Sequence, residues 1–148
     1  MSGKFISQQP TSIYAKNVLQ PVLRNENFVI KASKENTEAF FHVSGKKLYD
    51  MPSSYNSGNM FEYNYYENGL LIITDQYLHF DYCGTTIEFF NNKGIKVLNQ
   101  YFFKDNEKSF IVNVCKDKII CKLGNLKTVV ARVNKDTEKK KQLEEYIY

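Results

Sequence analysis

The chain has 148 residues, 43% of them hydrophobic and 24% charged, which is the composition of one globular domain. A chain of this size buries roughly 70% of its unfolded surface, enough for one proper core, and the composition speaks against a long disordered tract. The formal charge of +4 comes from 20 basic residues against 16 acidic ones, and among the basic residues only Arg24 and Arg132 are arginine. Lysine binds polyanions as a point charge and lacks the planar fork of arginine, so a base-reading or phosphate-clamping surface is disfavoured.

No run of residues reaches the ~18 apolar positions of a membrane-spanning helix. The first residues, "MSGKFISQQPTSIYAK", lack the hydrophobic core of a signal peptide. Cys83, Cys115 and Cys121 are an odd number with no disulfide-scaffold spacing. The expectation is a reduced, cytoplasmic protein without a transmembrane segment.

Residues 1–26 read as a polar N-terminal arm, with a short helix within Thr11–Leu23 that Pro21 stops. From residue 27 onward the chain reads as strand after strand. "NFVIKA" (27–32) and "AFFHV" (39–43) are β-prone runs, and "SGKK" (44–47) is a turn. "DMPSSYNSGN" (50–59) is the longest turn-rich segment. "MFEYNYY" (60–66) alternates, with Phe61, Tyr63 and Tyr65 on one face and Met60, Glu62, Asn64 and Tyr66 on the other. Asn68-Gly69 is the hairpin signal that follows.

"LLIIT" is the next strand, "DQ" a bend, "YLHFDY" another strand and "CG" (83–84) a turn. "TTIEFF", the turn "NNKG" (91–94), "IKVLNQYFF" (95–103), "SFIVNVC" (109–115), "IICKL" and "LKTVVARV" complete the series. The tail changes period. Residues 135–147 are polar helix formers with Leu143 and Ile147 four apart, and a C-terminal helix is expected there. The fold class is therefore mainly β, in one domain over residues 27–148. Hairpin turns every 8–12 residues favour an antiparallel bent barrel with one C-terminal helix, and a β-sandwich is the alternative.

"NGLLIITDQYLHF" (68–80) resembles the early hairpin of GRAM and bacterial pleckstrin-homology-like domains. Gly69, Leu71, Ile73, Thr74, Leu78 and Phe80 fit that pattern. "KTVVARVNKDTEKKKQLEEYI" (127–147) is similar to the last strand and closing helix of the same superfold. The resemblance covers about residues 60–147 and implies a bent barrel. Its phosphoinositide-binding members cluster Lys and Arg with an arginine in the early loop, whereas this chain offers Lys31, Lys34, Lys46 and Lys47 with no arginine among them.

No catalytic residue, metal or cofactor is assigned. His79 lies near Asp81 and Cys83, but alternation puts it on a solvent face opposite Leu78 and Phe80. Cys83, Cys115, Cys121 and His79 contain no close ligand pair of the kind zinc uses. Aromatic rings on both faces of residues 60–66 are contact material for a protein partner or a second copy, so Phe61, Tyr63, Tyr65, Tyr66 and the nearby Tyr55 are the candidate partner-binding residues. The alternatives are a lipid headgroup on Lys31, Lys34, Lys46 and Lys47, and, less favoured, a single-stranded nucleic acid on aromatics interleaved with lysines.

Overall fold

The computed structural model describes residues 12–14, 20–33, 37–52, 59–79, 81–103, 110–123 and 127–138. They form eleven strands in three sheets. The central sheet is a four-stranded meander of β5 (Met60–Tyr66), β6 (Gly69–Leu78), β7 (Asp81–Asn91) and β8 (Lys96–Phe103). A three-stranded antiparallel sheet holds β2 (Phe28–Ala32), β3 (Glu38–His42) and β4 (Lys47–Asp50). The third sheet has the order β1 (Ser12–Tyr14), β9 (Phe110–Val114), β10 (Lys118–Leu123), β11 (Lys127–Arg132), with β1 parallel to β9.

Two hydrophobic cores explain the layering. On one face of the central sheet Tyr66, Leu71, Ile73, Ile87, Phe89 and Leu98 pack with Phe110, Val112, Val114, Ile119, Cys121 and Ala131 of the third sheet. On the other face Leu70, Ile72 and Phe90 pack with Phe28 and Phe40 of the three-stranded sheet, joined by Tyr49, Phe61, Tyr63 and Tyr65. A strand covered on both faces needs no polar alternation, which is why "GLLII" reads as one continuous apolar run.

The same double burial corrects the expected barrel. A barrel covers one apolar face by closing on itself, but this sheet has two apolar faces and takes a separate layer on each. Among the described residues no sheet closes.

The expected C-terminal helix is not seen either. Lys135–Glu138 is not helical. Asn91 Nδ2 donates to the carbonyls of Val133 and Lys135, and the carboxylates of Asp136 and Glu138 pair with Lys93 and Lys46. These contacts occupy the groups a first helical turn would use. Residues 139–148 lie outside the described residues. In the N-terminal arm, Ser12–Tyr14 joins a sheet as β1, and Val22 forms a bridge to Tyr65. Residues 15–19 of the expected short helix lie outside the described residues.

Three local readings change. β4 replaces part of an expected turn region. Asp75-Gln76 and Cys83-Gly84 do not turn the chain, because β6 and β7 run on past them in register, with a bulge after Gln76. Asp75 is tolerated inside a strand because Thr85, directly opposite, donates its hydroxyl to the buried carboxylate at 2.7 Å. The reversal comes instead at the tip of the β6–β7 hairpin, where Leu78 pairs with Asp81 and His79 takes φ 53°. Leu78 is 62% exposed, not core, and His79 is exposed as expected. Phe80 lies outside the described residues.

An asparagine network ties the layers together at the opposite end. Asn25 Nδ2 donates to the Tyr66 carbonyl and to Asn92 Oδ1, and Asn25 Oδ1 accepts from Asn27. Asn92 Nδ2 reaches the Glu67 carbonyl. Asn68 Nδ2 donates to the carbonyls of Cys115 and Lys116, which fixes the β5–β6 turn to the β9–β10 turn. His42 Nε2 donates to the Asn92 carbonyl at 2.9 Å, because a carbonyl only accepts. That tautomer leaves Nδ1 to accept from Ser44. His42 is therefore a structural pin between β3 and the β7–β8 turn.

Candidate functional site

The rings of β5 are covered on both faces. Tyr66 is 1% exposed in the first core. Phe61, Tyr63 and Tyr65 are half-buried in the second core. Their ring contacts step along the strand. Tyr65 stacks on Phe28 of β2, Tyr63 meets Phe40 of β3 edge-on at 4.9 Å, and Phe61 meets Tyr49 of β4. Moving across the three-stranded sheet thus means moving along β5, so the strands of the two layers cross. Tyr55 lies in residues 53–58, outside the described residues.

The lysines divide. Lys31 lies over the Phe41 ring at 4.9 Å, and Lys47, opposite Phe41 in register, pairs with Asp50 at 3.0 Å. Lys46 turns away and bonds the Gly94 carbonyl at 3.2 Å and the Glu138 carboxylate. Lys34 lies outside the described residues. Cys121 faces Val112 across the ladder and not Cys115. Among the described residues no group of three or more His, Cys, Asp or Glu side chains is placed to hold a metal ion.

The crossing of the layers leaves a concave feature beside β4. β4 is the edge strand of its sheet, and beyond it the distal half of the central sheet has no covering strand among the described residues. An open groove of about 490 Å³ results, within the roughly 300–1,000 Å³ range of binding pockets. Its rim is Tyr49, Asp50, Pro52 and Asn59. Its floor is Thr74 and Gln76 of β6, Thr86 and Glu88 of β7, and Lys96 and Asn99 of β8.

Register places these floor residues together. Thr74 faces Thr86, and Glu88 faces Asn99 across the next ladder. A bulge after Phe89 sets Lys96 opposite Phe90. Its ammonium reaches back to Glu88 at 2.9 Å and lies 5.5 Å from the Phe90 ring centre. Both side chains are largely buried, so the carboxylate is held by a real partner and not by solvent.

Tyr49 and Thr74 share a hydrogen bond of 2.7 Å at the inner edge. Burial pushes the Tyr49 phenol upward, the Thr74 bond lowers it, and the Glu88 charge raises it further. The Thr86 hydroxyl is different. The residue is 7% exposed, and its oxygen has no hydrogen-bond partner among the described residues. A buried unpaired hydroxyl costs on the order of 1–3 kcal/mol, so its persistence on a groove floor marks a place where a ligand atom would be satisfied.

None of the partner-binding residues named from the sequence, Phe61, Tyr63, Tyr65, Tyr66 and Tyr55, is among the groove residues given above. Asp50, Pro52 and Asn59 belong to the turn-rich segment 50–59, and Tyr49, Thr74, Gln76, Thr86, Glu88, Lys96 and Asn99 were not singled out as a site. One signal was present. In "TIEFF" Thr86 and Glu88 alternate with Ile87 and Phe89, so one face of β7 is polar up to Phe90. What that polar face meets was invisible without the neighbouring layer.

No helix among the described residues is long and apolar enough to cross a membrane. Searches against protein-family models, curated proteins and solved structures find no match to this chain.

Proposed function

We propose that the protein is a non-enzymatic interaction module that binds a protein partner, and that the partner enters the groove beside β4. The carrying observation is the groove floor: a buried, unpartnered Thr86 hydroxyl beside the Glu88–Lys96 pair, beneath a rim drawn from the 46–60 region. A surface that serves only structure gains nothing from such a floor, whereas a binding surface recovers the cost on contact.

This reading moves the contact away from the β5 rings. Phe61 supports the groove by packing on Tyr49, Tyr63 and Tyr65 continue that row of rings along β5, and Tyr66 belongs to the core. The resemblance of residues 60–147 to pleckstrin-homology-like domains does not carry the reading. A lipid headgroup on Lys31, Lys34, Lys46 and Lys47 is less well supported, since Lys46 and Lys47 already have partners within the fold. Flotation with phosphatidylserine vesicles at low salt tests it, because lysine-driven binding is strongest there.

Site-specific photo-crosslinking tests the groove. A photoreactive residue at Gln76, on the floor, is compared with one at Val130, which is exposed on β11. The expected result is one defined polypeptide captured from Gln76 and absent from Val130. Equal labelling from both positions overturns the reading.

A further inference from the structure

We infer that the occupant of the groove is an extended segment of another protein that adds, as a fourth strand, to the edge of β4 that no described strand pairs, carrying small neutral polar side chains on its inward face. This rests on the groove reading above and specifies how the groove is filled.

Met51 N–H donates to the Glu38 carbonyl at 2.9 Å, and Ala39 faces Asp50. In an antiparallel ladder hydrogen-bonded and non-bonded pairs alternate, so Asp50 belongs to a non-bonded pair. Its N–H and C=O therefore point away from β3, along the groove. Exposed edge groups of this kind are a template for a further strand. Pro52, which has no N–H, ends the usable edge on one side.

Among the described residues the three-stranded sheet covers only part of the four-stranded one, and the part without a covering strand begins where β4 ends the sheet. A strand placed ~4.8 Å beyond β4 lies in the same layer, ~10 Å above the central sheet, directly over Thr86, Glu88 and Asn99.

Glu88 and Lys96 neutralise each other, so a charged inward side chain would meet no free counter-charge and would lose its own hydration. An apolar one would leave Thr86 unsatisfied. A serine, threonine or asparagine side chain supplies the missing hydrogen bond to Thr86. Inward residues recur at every second position, so the recognised pattern has period two.

The test uses the full chain and a phage-displayed library of random dodecapeptides. Enriched peptides are titrated by fluorescence polarisation and then resynthesised with single N-methylations along the backbone, a change that leaves the protein untouched. Affinity is expected to fall about tenfold at alternate methylated positions, the weight of one hydrogen bond to an edge strand. Asp50→Pro is expected to weaken binding by a similar factor of about ten and by clearly more than Asp50→Ala, since both remove the rim side chain but only proline removes the outward N–H.

Thr86→Val is expected to weaken the same peptides. Peptides that lose affinity with Thr86→Val but show no period-two N-methyl pattern overturn strand addition and leave the groove reading standing. Peptides indifferent to both overturn the two together, as does a library that yields no binder. A concentration-dependent dimer by light scattering that Asp50→Pro abolishes makes a second copy the occupant and overturns the partner assignment.

Discussion

The Tyr49 hydroxyl and the Thr74 hydroxyl stand 2.7 Å apart, and this one hydrogen bond joins the edge strand of one sheet to an interior strand of another. Thr74 is buried, so it depends on Tyr49 for its partner. Tyr49→Phe is therefore expected to cost about 1–2 kcal/mol, through the stranded Thr74 hydroxyl more than through lost packing. Urea unfolding checks this as a lowered midpoint with an unchanged slope.

Asn25 makes side-chain bonds to Tyr66, Asn92 and Asn27 from a buried position. Asn25→Ala leaves several of these groups without a partner and is expected to destabilise by about 2–3 kcal/mol. Asn25→Asp keeps the shape but removes both donors, and is expected to recover little of the loss. Thermal melts of the two variants side by side distinguish lost volume from lost donors.

Gly69 allows β6 to start close against β7. A Cβ there would lie 2.2 Å from the Phe90 carbonyl oxygen and 2.5 Å from the Phe89 ring. Backbone cannot yield as a flexible side chain does, so Gly69→Ala is expected to cost at least about 2 kcal/mol. The check is the unfolding midpoint relative to Gly45→Ala, where the added carbon meets nothing within 4 Å and only the positive φ opposes it.

Burial pushes the phenols of Tyr65 and Tyr66 up to about 12, with smaller contributions from Tyr63 and Glu62 respectively. Tyr49 and Tyr82 are raised further, again by burial first. A folded-state pKa above the unfolded value of ~10 means that the native protein holds its phenolic protons more tightly than the unfolded chain. The stabilisation is fully present below pH ~10 and is lost as pH rises toward 12 and beyond. Urea midpoints are expected to be insensitive to these tyrosines from pH 7 to 9 and to fall above pH 10. Ultraviolet titration should show part of the tyrosine absorbance change only on unfolding.

Thr86→Val replaces an unpartnered hydroxyl with a methyl group of the same shape. In the free protein it is expected to be neutral or stabilising by up to about 1 kcal/mol, the opposite sign from most changes in a buried strand. Differential scanning calorimetry of the free chain checks this, and a clear destabilisation would show that the hydroxyl already serves the fold.

The legible part of this protein was its strand pattern. "MFEYNYY" gave β5 in the same bounds, Asn68-Gly69 marked the hairpin, and "NNKG" marked the next turn, because period-two alternation and turn residues are local properties. The failures were also local signals, outvoted by neighbours. Asp75-Gln76 and Cys83-Gly84 look like turns, but Gln76 pairs with Gly84 in one ladder, Cys83 sits at its bulge, and Thr85 satisfies the Asp75 carboxylate. β4 is short and follows a glycine turn, and it becomes a strand by pairing with β3.

The candidate site was not legible as a site. Asp50, Pro52 and Asn59 stand in a turn-rich segment, and Thr86, Glu88, Lys96 and Asn99 look like ordinary solvent-facing positions of a strand. They form a floor because a three-stranded sheet crosses a four-stranded one and, among the described residues, stops short of its far end.

The sequence by itself determined a β-rich chain with apolar residues on both faces of its middle strands, since side-chain alternation is set by the backbone. Only the tertiary structure decided that those two faces are covered by two different sheets and not by a closed barrel. The same packing decided that the rings of the aromatic strand face those two sheets and that a polar strip lies beyond β4 with no described strand over it. Which surfaces meet depends on contacts between segments far apart in the chain, and no local pattern encodes them.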